Sequence, residues 1–543
     1  MTDTSRQLLS GNEAIALAAS HIGIELGTGY PGTPSTEILE HFATLGGKAQ
    51  WAPNEKVAAE VGLGVAFAGG RTLVTMKHVG LNVAADVLYT ATYSGVTGSY
   101  VLAVADDPGM ASSQNEQDTR RHAHAAGAPL LEPASAQEAY HFLQLAFELS
   151  EHWQIPVILR LTTRVCHSYG VVEPGTPANN PSKPGFARSP AERVMVPGHA
   201  RPAHHRLRDK LAELQAWNDS AAGPNAVTAG RDRSLGIITS GVSYLHVREA
   251  APAAAVFKVG MPHPLPTHRL LEFIERHEQV LVVEENDPYL VEQIRTAGGD
   301  VPLTPAVFRF GELNVTRVRK LIAGDTSPDT EPPKAKPPEL CQGCPHRASF
   351  QVLKDLDLIV AGDIGCYTLA VMPPLQAMDT QICMGASIGV GLGMRHTLPA
   401  AEARRVVSVI GDSTFVHSGL TGIAEMVYNP PPTGHVVIIL DNGTTAMTGL
   451  QEHPGTGRDL AHGRGGQVVI EEACRGLGVP AVHVVDPVRH AGDFAEQLSA
   501  ALASDTLTVF VARQPCVLAA PKIRQYEKTI QVQADQCPAS EVA

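Results

Sequence analysis

The sequence is poor in the features that mark membrane, secreted and nucleic-acid-binding proteins. Across 543 residues no stretch approaches the ~18 uncharged apolar residues a bilayer-spanning helix needs, so membrane spanning is not expected. The first residues, MTDTSRQLLSGNEA, carry neither the basic start nor the apolar core of a secretory signal, and a cytoplasmic location is expected. Lys and Arg total 42 against 55 Asp and Glu, a net charge of −13, and no basic run exceeds two or three residues. That balance disfavours nucleic acid as a partner and leaves any anionic substrate to local cations or helix N-termini. Aromatic residues are 5% of the chain, and its three Trp and 13 Phe form no pattern from which a ring pocket can be read. The eight cysteines, at 166, 341, 344, 366, 383, 474, 516 and 537, are too sparse for a disulfide scaffold. Skewed toward the C-terminal half, in a reducing compartment they read as metal or cofactor chemistry.

What is present is an α/β pattern longer than one core can hold, enough for about three to four domains. Short apolar runs such as YVLAVAD (100–106) and PVILRL (156–161) alternate with Ala/Gly-rich helical stretches, predicting buried parallel strands in a first block over 1–172. The Pro/Gly/Asn/Ser-rich segment EPGTPANNPSKPG opens a linker over 173–230 that carries a polar helix near 205–217. LGIITSG (235–241) and VLVVEEND (280–287) then predict a small α/β domain over 231–330. EPPKAKPPEL makes 331–340 an extended linker, and LIVAGDIG, VVSVIGD and HVVIILDN predict a last doubly wound block over 341–520, before a tail over 521–543.

In the last block a strand ends in Gly411-Asp412-Ser413, 27 residues follow, and a second strand ends in Asp441-Asn442-Gly443. Parallel topology returns Asp412 and Asn442 to one crevice, where hard oxygen ligands suit Mg²⁺ and small residues let backbone N–H groups approach a diphosphate. The segment resembles the thiamine diphosphate signature, with Ser413 for its second Gly and Asp441 for its first Asn; the metal-binding Asn442 is kept. Such a cofactor needs a carboxyl group against its aminopyrimidine. Glu55, in PNEKVAAEVGLGVAFAGG, is the candidate, its pKa expected to be raised by desolvation. The plainer alternative is that Asn54 caps a helix and Glu55 favours its dipole.

The segments GTGYPGTPSTEI, NEKVAAE, TLVTMKHVGLNVAADVL and VADDPGMASSQNEQDTR, with CQGCPHR and GDIGCYTL, resemble the large subunit of indolepyruvate ferredoxin oxidoreductase over almost the whole chain. The resemblance implies an α/β multidomain fold in which two doubly wound thiamine-diphosphate-binding domains flank the smaller one. It implies oxidative decarboxylation of aryl 2-oxoacids to the acyl-CoA, and it assigns Glu55 to the pyrimidine and Thr33 to the thiazolium and substrate. By the same resemblance Asp412 and Asn442 bind Mg²⁺ through side chains and Thr444 through its carbonyl, while Lys77, His78 and Asn82 face substrate. The arginine that holds the substrate carboxylate in the pyruvate enzymes has no counterpart in ADDPG.

Cys341, Cys344, Cys366 and Cys516 resemble the four thiolates of that family's proximal [4Fe–4S] cluster; structural zinc is the rival. Cys383 is an alternative ligand or, better, a buried small hydrophobe, and Cys166 and Cys474 read as core. His417 is an acid/base or hydrogen-bond candidate within the cofactor motif or simply a packed side chain, and His346 either backs the cluster or diphosphate or, the favoured reading, is a surface residue. The polar run SSQNEQD (112–118) reads as a solvated loop that is able to close over a site. The chain stops at DQCPASEVA without the family's ferredoxin-like module, so electrons would pass to a ferredoxin or another acceptor. A small second subunit, coenzyme A and a homodimer of the large subunit are the other expected partners. A non-oxidative thiamine diphosphate decarboxylase or carboligase is the alternative function.

Overall fold

The computed structural model describes residues 6–177, 184–329 and 338–525, and divides into two units at 332/333. The first unit is built on six parallel strands in the order 49–51, 26–29, 71–77, 99–106, 157–162, 130–131. Strand periodicity explains why it is covered on both faces. Leu73, Val101, Ala103, Val157 and Leu159 enter one apolar cluster, and Val74, Leu102, Val104 and Ile158 enter another. From strand 26–29 the chain goes to one side and then returns to 71–77 on the other, so the order reverses between these two strands. At such a reversal the loops diverge and leave a crevice at the carboxyl ends.

The expectation of a linker over 173–230 is corrected in part. The helix there runs Pro197–Asn218, and Leu207, Leu211 and Leu214 are buried in the same cluster as the first sheet's strands. The helix is polar overall, but leucines spaced by four and three residues supply one apolar stripe that enters this cluster, and the helix packs against the helix His78–Ser94. Of the 331–340 linker only 338–340 lie among the described residues, and Cys537 lies outside them.

The first unit's second sheet has the order 279–283, 235–240, 255–259, 226–228, the last strand antiparallel. Buried ion pairs tie it to the first sheet. Arg160 donates to Asp106 at 2.7 Å, to Glu132, and to Asn286 at 2.9 Å; Arg120 donates to Asp118 and Glu284, both at 2.7 Å, and to the Glu285 carbonyl at 2.8 Å. Two guanidinium groups thus face Asp106, Asp118, Glu132, Glu284 and Glu285, an excess of carboxyls. Burial pushes both Glu284 and Glu285 up to about 7. Folded Glu285 therefore keeps its proton to about pH 7 while the unfolded chain releases it near 4.5, so this group's contribution to stability falls as pH rises through that window. Glu285→Gln, which still accepts from the Leu313 N–H, is expected to stabilise the protein above pH 7 by on the order of 1–3 kcal/mol. Urea unfolding at pH 5 and pH 8 checks this: the variant's advantage should appear only at the higher pH.

The second unit carries five parallel strands in the order 359–361, 406–411, 436–441, 508–513, 481–485. Again alternate residues separate, Val407, Val409 and Ile438 to one cluster and Ile410, Val437 and Ile439 to the other. Among the described residues no helix is long and apolar enough to cross a membrane.

Candidate functional site

In the second unit the strand Val406–Gly411 passes directly into a helical turn at Asp412–Thr414, and the strand Val436–Asp441 delivers Asn442 beside it. Asp412 Oδ2 accepts the N–H groups of Gly443 at 2.8 Å and Asn442 at 3.2 Å, and Oδ1 accepts that of Ser413 at 2.8 Å. His453 Nε2 lies 3.3 Å from Oδ2. Burial opposes ionisation here, but the His453 ring and the amide donors hold the Asp412 carboxyl below the usual range. Asn442 Oδ1 accepts the Thr444 N–H at 3.1 Å, and Asn442 Nδ2 donates to His346 Nε2 at 3.2 Å.

The two departures from the motif both have partners. Ser413 Oγ accepts from Thr445 at 2.9 Å, joining the two loops, and Asp441 pairs with Arg513 at 2.7 Å. Gly411 has a steric reason: its N–H donates to the Tyr367 hydroxyl at 2.9 Å, and a Cβ there would stand 2.8 Å from the Tyr367 ring. His417 is buried in the next turn, Nδ1 2.6 Å from Ser418 Oγ.

Cys341, Cys344, Cys366 and Cys516 line one cavity, together with His346 and Asn442. Cys344 precedes the helix Pro345–Asp355, Cys366 opens the turn Cys366–Val371, and Cys516 follows the strand Thr508–Arg513. The Cys516 N–H donates to the Asn442 carbonyl at 3.0 Å, which couples this cavity to the Asp412 loop. Burial, with the neighbouring thiols, pushes Cys366 up to about 11 and raises Cys344. Among the described residues no three His, Cys, Asp or Glu side chains converge as a single-ion site. Two expectations are corrected. Cys383 is exposed, not a buried hydrophobe, and lies outside the cavity lining; His346 is 4% exposed, and burial pushes it down to about 4. Cys166 and Cys474 are buried in the cores.

In the first unit the helix Glu55–Phe67 starts on the Asn54 cap, whose Oδ1 accepts the Val57 N–H at 2.9 Å. Glu55 is nonetheless 5% exposed, and its carboxyl rests on the backbone of the helix His78–Ser94: a Cβ on Gly80 would meet Glu55 Oε1 at 2.5 Å. Lys77 ends the strand Arg71–Lys77 and packs on the loop holding Thr33, since a Cβ on Gly32 would lie 3.1 Å from Lys77 Cβ. His78 is 1% exposed; Nε2 meets the Asn115 carbonyl at 3.2 Å, and Nδ1 has no hydrogen-bond partner among the described residues. Asn82 is exposed. The 112–118 run is mostly solvated, yet its Ser112 and Asn115 carbonyls are tied to Lys77 and His78.

Sequence reasoning missed His453, Tyr367 and Asp107. Only His453 had a local signal, its place in the Pro/Gly turn EHPGTG that follows the motif.

Residues 363–512 match the family described as thiamine pyrophosphate enzyme, C-terminal TPP binding domain, and residues 17–202 match pyruvate flavodoxin/ferredoxin oxidoreductase, thiamine diP-binding. The fold and these two matches are those of a thiamine-diphosphate-binding α/β enzyme. Indolepyruvate oxidoreductase subunit IorA of Archaeoglobus fulgidus is 40% identical over 96% of this chain and 88% of its own length. The IorA of Methanothermobacter thermautotrophicus is 38% identical over 95% and 88%, and that organism's 2-oxoglutarate synthase subunit KorA is 24% identical over 56% and 95%. The chain belongs to the family of indolepyruvate oxidoreductase IorA subunits.

Proposed function

We propose that this chain is the large subunit of an enzyme that oxidatively decarboxylates aryl 2-oxoacids such as indolepyruvate to the acyl-CoA, electrons leaving through a [4Fe–4S] cluster to ferredoxin or another acceptor. The relatives named for indolepyruvate support the substrate class. The observation that supports the redox half is a single cavity whose lining includes four thiols from three separate segments, with Asn442 among the other lining residues. Soft thiolates suit an iron–sulfur centre, and the burial that raises Cys344 and Cys366 is a penalty a cationic centre relieves on binding. The other donors suit Mg²⁺: side-chain oxygens of Asp412 and Asn442 and the Thr444 carbonyl, beside small residues at 411 and 413 for a diphosphate.

Thiamine diphosphate, when bound, supplies the electron sink for the carbon that loses carbon dioxide. The chain's residues hold and protonate. Asp412, fixed by three N–H groups, keeps its oxygens in place for the metal without rearrangement. Glu55, shielded from water, exchanges a proton with the aminopyrimidine. Thr33 borders the substrate, with His78 and His417 as acid/base groups. Coenzyme A, a small second subunit and a second copy of this chain complete the proposed assembly.

The test is anaerobic incubation with an arylpyruvate, coenzyme A and a low-potential acceptor, in the presence of the small subunit. Acyl-CoA formed in step with reduced acceptor is the expected result. Aldehyde released without acceptor would instead establish the decarboxylase or carboligase alternative, and no turnover of any 2-oxoacid would overturn the reading.

A further inference from the structure

The buried cations of the first unit are not equivalent. Arg71, Arg120, Arg160, Lys258 and Arg317 each have a carboxylate within 3.0 Å: Glu151, Asp118, Asp106, Glu138 and Asp329 respectively. Lys77, 8% exposed, is the exception among the described residues, its nearest carboxylate oxygen, Asp107 Oδ2, standing 4.0 Å away. Asp107 is already engaged by Ser113 Oγ, by the Ser112 N–H at 2.9 Å and by Thr163 Oγ1 at 2.9 Å. Burial opposes its ionisation, but these hydrogen bonds, with a smaller contribution from the charge of Lys77, hold it below the ordinary carboxylate range. Among the described residues the Lys77 ammonium donates hydrogen bonds only to Ser112, its carbonyl at 2.7 Å and its hydroxyl at 3.2 Å. An ammonium has three N–H groups, so one is unspent.

The position of that N–H bond is informative. Lys77 lies at the carboxyl end of its strand, beside the strand-order reversal and against the Gly32–Thr33 loop, and Ser112 Oγ reaches the Thr33 carbonyl at 3.4 Å. The neighbouring His78, with its unpartnered Nδ1, marks the same strand end as a place that a ligand completes.

We propose that Lys77 receives the carboxylate of the 2-oxoacid, its third N–H donating to one carboxylate oxygen; this rests on the substrate class proposed above. A single ammonium contact also suits a group that must leave. The carboxylate departs as neutral carbon dioxide, and a tighter bidentate grip would stabilise the bound substrate more than the transition state. Burial lowers Lys77 to about 8, which leaves it charged at neutral pH.

The experiment compares indole-3-propionate with its amide as non-reacting ligands of the whole enzyme, thiamine diphosphate bound. Wild type is expected to bind the carboxylate about 100-fold more tightly than the amide, as for a partly buried ion pair. In Lys77→Gln that ratio should fall to near one, with thiamine diphosphate affinity unchanged, and Lys77→Arg should restore most of it. A second measurement needs no variant: acetic anhydride should label Lys77 in wild type, with protection by the carboxylate and none by the amide. An unchanged ratio in Lys77→Gln, or equal labelling with both ligands, in an enzyme that turns over arylpyruvate sinks the inference and leaves the proposed function standing. A wild-type enzyme that turns over no 2-oxoacid removes the proposed function itself.

Discussion

Replacing Glu55 by Gln is expected to lower kcat by about 100- to 10,000-fold while the melting temperature moves by no more than a few degrees. The size follows from what a positioned proton-transfer group contributes. The small thermal effect follows from the local structure. Gln has the same shape against Gly80, Asn54 still caps the helix, and the negative charge lost at the first helical position is worth about 0.3–1 kcal/mol. The two readings of this residue, dipole partner and cofactor carboxyl, therefore separate cleanly. Dipole alone predicts a slightly less stable enzyme of undiminished activity. Steady-state kinetics beside a thermal melt decide it, and normal kcat in a folded Glu55→Gln protein would remove Glu55 from the mechanism.

Cys366→Ser should be nearly as severe for the redox step and harmless for thiamine diphosphate binding. The hydroxyl is a hard, weakly acidic donor in a cavity that otherwise offers three thiols, so iron and acid-labile sulfide, expected at about four of each per chain in wild type, should fall well below that value. Acyl-CoA formation with a low-potential acceptor is expected to drop by about 1,000-fold, the scale on which removal of a required group acts. Metal analysis of anaerobically purified protein is the direct check. Zinc in the wild-type protein, or unchanged iron in the variant, would dismiss the four-thiolate assignment. Cys383→Ser is the control: exposed and outside the cavity lining, it should leave iron content and rate as they are.

Much of this site was legible because its elements are local. A run such as VVSVIGD is at once a buried strand and the start of a ligand loop, so periodicity and motif spacing located Asp412 and Asn442 together. The Cys341-Gln-Gly-Cys344 turn and Cys366 were singled out by resemblance to a known four-thiolate pattern, and Cys344 and Cys366 each lie at the edge of an element. Reasoning failed where residue type and context disagree. His346 follows a Cys-Pro turn in a polar string, HRASFQ, yet its ring is buried on Asn442, 96 residues away. Cys383 sits among small apolar residues and is nonetheless exposed, because burial depends on what packs over a segment rather than on its own composition. The polar helix Pro197–Asn218 looked like a linker for a similar reason: three leucines matter more than the many charged residues on its other faces.

By itself the sequence determined the α/β class, the strand ends at which Asp412 and Asn442 stand, and the family, since all of these are written in short windows or in similarity along the chain. Tertiary structure alone decided which charges are satisfied. Arg120 meets Glu284 across 164 residues, Arg160 meets Asn286 across 126, and Lys77 meets Ser112 across 35, with no periodicity linking either partner to the other. A buried charge takes its character from the groups that surround it in space, and these are brought together only when the sheets assemble. That is why Lys77, which the sequence marks only by resemblance as substrate-facing, emerges once the strands are ordered as the buried cation of the first unit that, among the described residues, has no carboxylate within 3.0 Å.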